Sequence, residues 1–127
     1  MTLRCVIVDD NSAVLRAASD LLETQGIAVV GVATTSEEAL SLMEELKPDV
    51  LLVDIDLGPE SGFELTRRLA RSVDSATSCV ILMSTHHQAD YADLIAASPA
   101  IGFLAKSDLS AIAIRRLLAR AGRKGRY

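Results

Sequence analysis

Tryptophan is absent from this sequence, and two Tyr and two Phe make up the whole 3% aromatic content. That excludes a stacking platform for single-stranded nucleic acid and leaves the core to Leu, Ile, Val and Ala. Proline and glycine are sparse, at three and seven residues, while half the chain is apolar, so a disordered or low-complexity segment is excluded as well. No apolar run approaches the ~18 to 20 residues of a membrane span, and Met1-Thr2-Leu3-Arg4 leads into a short strand rather than a signal sequence. A cytoplasmic protein is expected. Cys5 and Cys79 both sit inside apolar runs, where a reduced thiol behaves as a small hydrophobe, so cysteine usage assigns no compartment. Neither GxxxxGK[ST] nor GxGxxG occurs, which argues against a bound nucleotide.

The 127 residues therefore suit one compact domain. Its net charge of −4 is unevenly spread: all 17 acids lie in residues 1 to 108, whereas residues 109 to 127 carry Arg115, Arg116, Arg120, Arg123, Lys124, Arg126 and no acid. Such a tail can meet nucleic acid, but the preferred reading is cations at the C-terminal end of a last helix, followed by a solubilising or linker segment.

Four short runs, Cys5–Val8, Val50–Val53, Cys79–Met83 and Ala100–Leu104, are apolar without alternating, as in parallel strands covered on both faces. A fifth, from Ile27 to Ala33, contains Gly31 and smaller residues and suits a sheet edge. Helical spacing fills the gaps. Val14, Ala18, Leu21 and Leu22 come after an N-cap at Asn11 or Ser12 and stop at Gly26. Thr35-Ser-Glu-Glu38 reads as a capping box before Ala39, Leu42, Met43 and Leu46, and Ser61-Gly-Phe-Glu64 repeats it before Leu65 and Leu69. A weaker helix is expected over Gln88 to Ala97, and a last one on Leu109, Ile112, Ala113 and Leu117 that frays through Gly122 and Gly125. Five strand-then-helix units imply an α/β doubly wound sheet, in which ligands bind at the carboxyl ends of the strands.

The residues at the strand ends therefore carry the functional information. Asp9 and Asp10 come after the first strand, Asp54 ends the third, Ser84 and Thr85 come after the fourth, and Lys106 after the fifth. In a parallel sheet these converge on one rim, where three carboxylates repel unless a cation is present. Oxygen donors with no His or Cys among them suit Mg²⁺. Lys106 and Ser84 then supply a charge and a hydroxyl donor for phosphoryl oxygens. Without a nucleotide loop, the phosphoryl group has to be carried covalently, and Asp54, on the strand expected at the sheet's centre, is the candidate acceptor.

These residues are where a family resemblance enters. Val-Asp-Asp at 8 to 10, Asp54 in Leu-Leu-Val-Asp-Ile-Asp-Leu, Ser84 after Val-Ile-Leu-Met, and Gly-Phe-Leu-Ala-Lys at 102 to 106 resemble the receiver domain of two-component response regulators. The resemblance runs from Val6 to the last helix. It implies a flavodoxin-like fold with strand order 2-1-3-4-5, a receiver domain over residues 1–121, and a basic tail or linker start over 122–127. It implies a phosphorylation-dependent switch rather than an enzyme. Asp54 would accept the phosphoryl group from a histidine kinase or phosphotransfer protein and later lose it by autodephosphorylation. Asp10 and Asp54 would bind Mg²⁺ directly, Asp9 through water, and Asp56 through its backbone carbonyl. Ser84 and Lys106 would hold phosphoryl oxygens, Phe103 would turn inward as Ser84 moves, and Asp56, Thr85 and His86 would flank the group and tune its lifetime. The implied partners are the kinase and an output protein or effector domain, with a homodimer left open and no direct contact to nucleic acid or membrane. That strand order also places a strand between Cys5 and Cys79, about 9 to 10 Å apart at best, so both are expected to stay free thiols.

The chain departs from the family at three points. Ser107 stands after Lys106 where a cis proline is usual, and a non-proline cis bond costs about 2.5 to 4 kcal/mol, so the geometry of that bond is open. Gly58-Pro59 places proline five residues after Asp54 instead of four, and Thr85 stands where Ala or Gly is usual. Two rival functions are retained: a phosphorylation-independent interaction module on the same fold, and a haloacid-dehalogenase-type phosphatase suggested by Asp54-Ile-Asp56. The second places its Asp-x-Asp on a first strand, whereas here it falls on the third.

Overall fold

Why the apolar runs do not alternate is plain once both faces of the sheet are seen. The computed structural model describes residues 2–71 and 78–124, with Arg123 and Lys124 described in backbone only. Its elements are β1 (Arg4–Val8), α1 (Ser12–Thr24), β2 (Ala28–Ala33), α2 (Ser36–Leu46), β3 (Val50–Asp54), β4 (Asp56–Leu57), β5 (Glu60–Ser61), α3 (Gly62–Ala70), β6 (Cys79–Ser84), α4 (Ala92–Ala97), β7 (Gly102–Ala105) and α5 (Ala111–Lys124). Five strands form one parallel sheet in the order β2-β1-β3-β6-β7, the expected doubly wound arrangement with β2 at an edge.

Successive side chains on a strand point to opposite faces, and each face is covered. Val6, Val8, Leu51, Val53, Val80 and Leu82 join Ala39 and Met43 of α2 and Phe63, Leu65 and Leu69 of α3 in one buried cluster. Cys5, Ile7, Val50, Leu52, Ile81 and Met83 join Leu15, Ala18 and Leu22 of α1 and Ala111 and Ile114 of α5 in the other. Cys5 and Cys79 are in register with Val50 on either side of it, and both are free thiols.

The helix starts obey local chemistry. The Asn11 side chain accepts from the Ala13 and Val14 N–H groups, and Thr35 accepts from Glu38 N–H. The reciprocal half of that capping box lands one residue early, because the Glu38 carboxylate accepts from the N–H and the hydroxyl of Thr34. At the second box Ser61 accepts from Phe63 N–H while Glu64 pairs with Arg67 at 2.7 Å.

Four expectations need correction. In α1 the buried stripe is Leu15, Ala18 and Leu22, and Leu21 is 39% exposed, because the sheet meets the helix one residue round from the expected line. Leu109 precedes α5, and Ile112 is 64% exposed, since Ala111 and Ile114 take the inward positions. The segment from Gln88 divides into a 3-10 turn to Tyr91 and the six-residue α4. The last helix runs on through Gly122 to Lys124, and residues 125 to 127, with Gly125 and Arg126, lie outside the described residues.

Candidate functional site

Parallel strands end together, so the residues leaving β1, β3, β6 and β7 share one rim. At β1 the ladder continues one residue beyond the strand, Asp9 N–H donating to Ala33 O at 3.0 Å, which carries the Asp9 side chain inward to zero exposure. Its Oδ1 accepts from Asn11 N–H at 2.9 Å, and the turn that results leads directly into the Asn11 cap of α1. Asp10, between them, is exposed. At the end of β3, Asp54 is 5% exposed, and its Oδ1 accepts from Asp56 N–H at 3.1 Å.

Lys106 joins these ends. Its Nζ lies 2.6 Å from Asp9 Oδ2 and 3.0 Å from Asp54 Oδ2, with the lysine side chain 17% exposed. Burial raises the Asp54 pKa above the usual carboxylate range and Asp9 adds to the rise, against the hydrogen bonds from Lys106 and Asp56 N–H that lower it. For Lys106, burial acts downward, but the two carboxylates outweigh it and the ammonium is held above its ordinary value. The lysine is therefore a fixed cation at neutral pH.

Ser84 ends β6 with 4% exposure, and its Oγ accepts from His86 N–H at 3.0 Å, so its hydroxyl proton is the group left to donate. His86 Nδ1 is 3.5 Å from the same oxygen, and the exposed His86 ring meets Tyr91 edge-on at 6.1 Å. Thr85 is exposed and lines, with Val14, Leu21, Ser107 and Leu109, a groove of about 370 Å³ beside Lys106. Phe103 already lies inward at 9% exposure, in the same cluster as Leu82 and Phe63. The Lys106–Ser107 bond is trans, as are all peptide bonds among the described residues.

The Gly58-Pro59 departure has a structural outcome that the sequence did not announce. Asp56–Leu57 and Glu60–Ser61 pair antiparallel as a two-stranded hairpin, Asp56 facing Ser61 and Leu57 facing Glu60. Gly58 takes φ +71 at the turn, and proline's fixed negative φ suits the second position of such a two-residue loop. Gly62 closes the segment so tightly that a Cβ there would fall 2.1 Å from Asp54 O. Arms of two residues are too short for a periodic signal, which is why only the Gly-Pro pair pointed here.

One carboxylate oxygen each from Asp9, Asp10 and Asp54 lies within 4.8 Å of the others. Three negative groups face one lysine, and among the described residues nothing pairs with Asp10. A hard divalent cation such as Mg²⁺ fits this donor set and its charge.

The comparisons with known proteins agree with the fold. The response regulator receiver domain family model matches residues 5–118. The chain is 41% identical over 71 residues to a protein named Response regulator GacA from Pseudomonas viridiflava, covering 55% of this chain and 33% of that one. It thus spans about a third of that curated relative. Among solved structures, a LuxR-family two-component response regulator from Aurantimonas matches with TM-score 0.82 and 27% identity over 94% of this chain and 86% of the other. A CheY-like receiver domain from Methanospirillum hungatei matches with TM-score 0.80 at 23% identity over 98% and 99%, a likeness of fold.

Proposed function

This chain belongs to the response regulator receiver domain family, and from that premise we propose that it is a phosphorylation-dependent switch with Asp54 as its phosphoryl acceptor. The observation that carries the proposal is the Lys106 ammonium shared by Asp9 and Asp54, with Asp10 beside them. A neighbouring cation favours the ionised form of a buried carboxylate, and that is the form that attacks phosphorus.

In the proposed reaction an Asp54 oxygen forms a bond to phosphorus as the bond from phosphorus to a histidine nitrogen of a kinase or phosphotransfer protein breaks. The product is an acyl phosphate, and attack of water on phosphorus later releases inorganic phosphate and restores the carboxylate. Asp10 and Asp54, with Asp9 and the Asp56 carbonyl in support, would hold Mg²⁺, which would neutralise charge at the transferring group. Lys106 has three donors, and the one not directed at Asp9 or Asp54 is available to a phosphoryl oxygen. The Ser84 hydroxyl, whose contact with His86 Nδ1 is long at 3.5 Å, donates its proton to another. The new charge and acceptor oxygens draw both side chains toward the rim and bias the position of Phe103, which an output domain or partner protein reads. Asp56, Thr85 and His86 border the group and set how readily water reaches it.

The test is intact-protein mass after incubation with acetyl phosphate and Mg²⁺. A phosphoryl adduct that needs both the cation and Asp54, and is absent in Asp54→Asn, supports the switch. A folded protein that takes no adduct from acetyl phosphate or from phosphorylated kinase would favour an interaction module acting without phosphorylation.

A further inference from the structure

The hairpin after Asp54 is too small to hold its own shape, since two arms of two residues are not independently stable. Its position is fixed by what it touches. At its base Gly62 N–H donates to Ile55 O at 2.7 Å. At its turn Gly58 lies against Asp10, close enough that a Cβ there would sit 3.0 Å from Asp10 Oδ2. On its outer arm Glu60 leaves the hairpin, and its Oε1 accepts from Ser36 N–H at 3.0 Å.

That last bond joins two parts of the chain 24 residues apart. Ser36 opens α2, so its N–H has no partner within the helix. Thr35 serves Glu38 N–H, and Glu38 serves Thr34, so neither capping side chain takes the Ser36 donor. Glu60 takes it, and its negative charge lies at the favourable end of the α2 dipole. Helix α2 is itself anchored, with Ala39 and Met43 buried against Val6, Val8 and Leu51. The hairpin is thus held between a rigid helix on one side and Asp10 on the other.

We propose that Glu60 is a positioning residue for the acidic pocket: by fastening the β4–β5 hairpin to the start of α2, it holds Gly58 at Asp10 and keeps Asp56 in place beside Asp54, and so sets the affinity for a divalent cation. The inference rests on the reading of Asp9, Asp10 and Asp54 as a cation site. Glu60 lies outside the cluster of Asp9, Asp10 and Asp54. It acts as partners beyond the direct ligands do, by removing freedom from the groups that bind.

The experiment is calorimetric titration of the full chain with MgCl₂, for wild type, Glu60→Ala, Glu60→Gln and Glu44→Ala. Glu44, exposed on α2, controls for loss of one negative charge. Thermal unfolding in EDTA runs alongside. Glu60→Ala is expected to weaken Mg²⁺ binding by about tenfold, the scale seen for partners of metal ligands. Glu60→Gln keeps an acceptor oxygen and is expected to fall between Ala and wild type, and Glu44→Ala to bind as wild type does. Unfolding midpoints in EDTA should stay close together, because the lost contact is a single hydrogen bond at a helix end. Equal affinity in Glu60→Ala and wild type overturns the inference while leaving the cation site intact. An equal loss in Glu44→Ala overturns it too, assigning the effect to general charge. No binding by wild type overturns the cation reading itself and this inference with it.

Discussion

The Lys106 ammonium, at the end of edge strand β7, lies 2.6 Å from the Asp9 carboxylate at the end of β1, three strands away in the sheet. To get there the side chain passes over the end of β6 and also meets Asp54 on β3 at 3.0 Å. One flexible cation thus ties together the ends of strands that are far apart in sequence.

Removing that cation leaves two buried carboxylates facing each other. Lys106→Ala is expected to lower stability by about 3 kcal/mol in EDTA, because an unpaired buried charge costs far more than its pair contributes. Mg²⁺ should restore a large part of the loss, since a ligand at 100 times its dissociation constant adds about 2.7 kcal/mol to the state that binds it. Urea midpoints with and without the cation measure both effects. A variant as stable as wild type in EDTA would show that the lysine bridge is incidental.

The pH dependence has a definite sign. The folded pKa of Asp54 is raised, mainly by burial, so the native state holds this proton more tightly than the unfolded chain does. Its contribution to stability is fully present below the unfolded carboxylate value of about 4 and is lost as pH rises through the folded value. Asp54→Asn is neutral at every pH. It is therefore expected to be more stable than wild type at pH 7, with the difference shrinking as pH falls toward 4. A difference that stays constant over that range would contradict the assignment of the shift to Asp54.

Much of this site was legible because a parallel sheet turns one-dimensional order into position. Each continuous apolar run ends at a rim residue, so Asp9, Asp54, Ser84 and Lys106 could be grouped from the sequence, although the strand order itself came from the family resemblance. Helix faces were less legible. Val14, Leu15, Ala18, Leu21 and Leu22 spread over a wide arc of α1, and only the sheet's position decides that Leu15 is buried and Leu21 is not. The Glu60–Ser36 bond was illegible, because it depends on a hairpin whose arms are too short to show a period.

Glycine positions offer a test of local geometry. At Gly62 a methyl group would meet backbone atoms of Asp54 and Ile55, the nearest at 2.1 Å, and backbone cannot rotate away. Gly62→Ala is expected to cost about 3 kcal/mol and to displace Asp54, with loss of acetyl phosphate reactivity. At Gly122, in α5, nothing lies within 4 Å of the added carbon. Gly122→Ala is expected to stabilise by about 0.5 kcal/mol through helix propensity. Equal effects at the two sites would overturn the assignment of the cost to the Asp54 backbone.

The two thiols should differ in reactivity. Burial pushes the Cys5 thiol up to about 12, so at neutral pH it is protonated as well as inaccessible. Cys79 is only partly buried, and its smaller rise comes from burial and then from Asp49. Native protein is expected to react with a disulfide reagent at Cys79 alone and slowly, both residues reacting in denaturant, and oxidation should give no intramolecular disulfide. Rapid labelling of Cys5 in native protein would indicate that the sheet opens at β1.

His86 separates a chemical role from a positional one. The bond that orders Ser84 comes from the His86 backbone N–H at 3.0 Å, which any substitution except proline keeps. The ring itself reaches Ser84 Oγ only at 3.5 Å and rests edge-on against Tyr91, which in turn meets Phe63 at 6.2 Å. A ring held this way is expected to act as a spacer beside the rim rather than as a base. His86→Ala is accordingly expected to change the hydrolysis rate of the aspartyl phosphate by less than about tenfold, whereas loss of a general base costs about a hundredfold or more. The decay of the intact-mass adduct after removal of acetyl phosphate measures the rate directly.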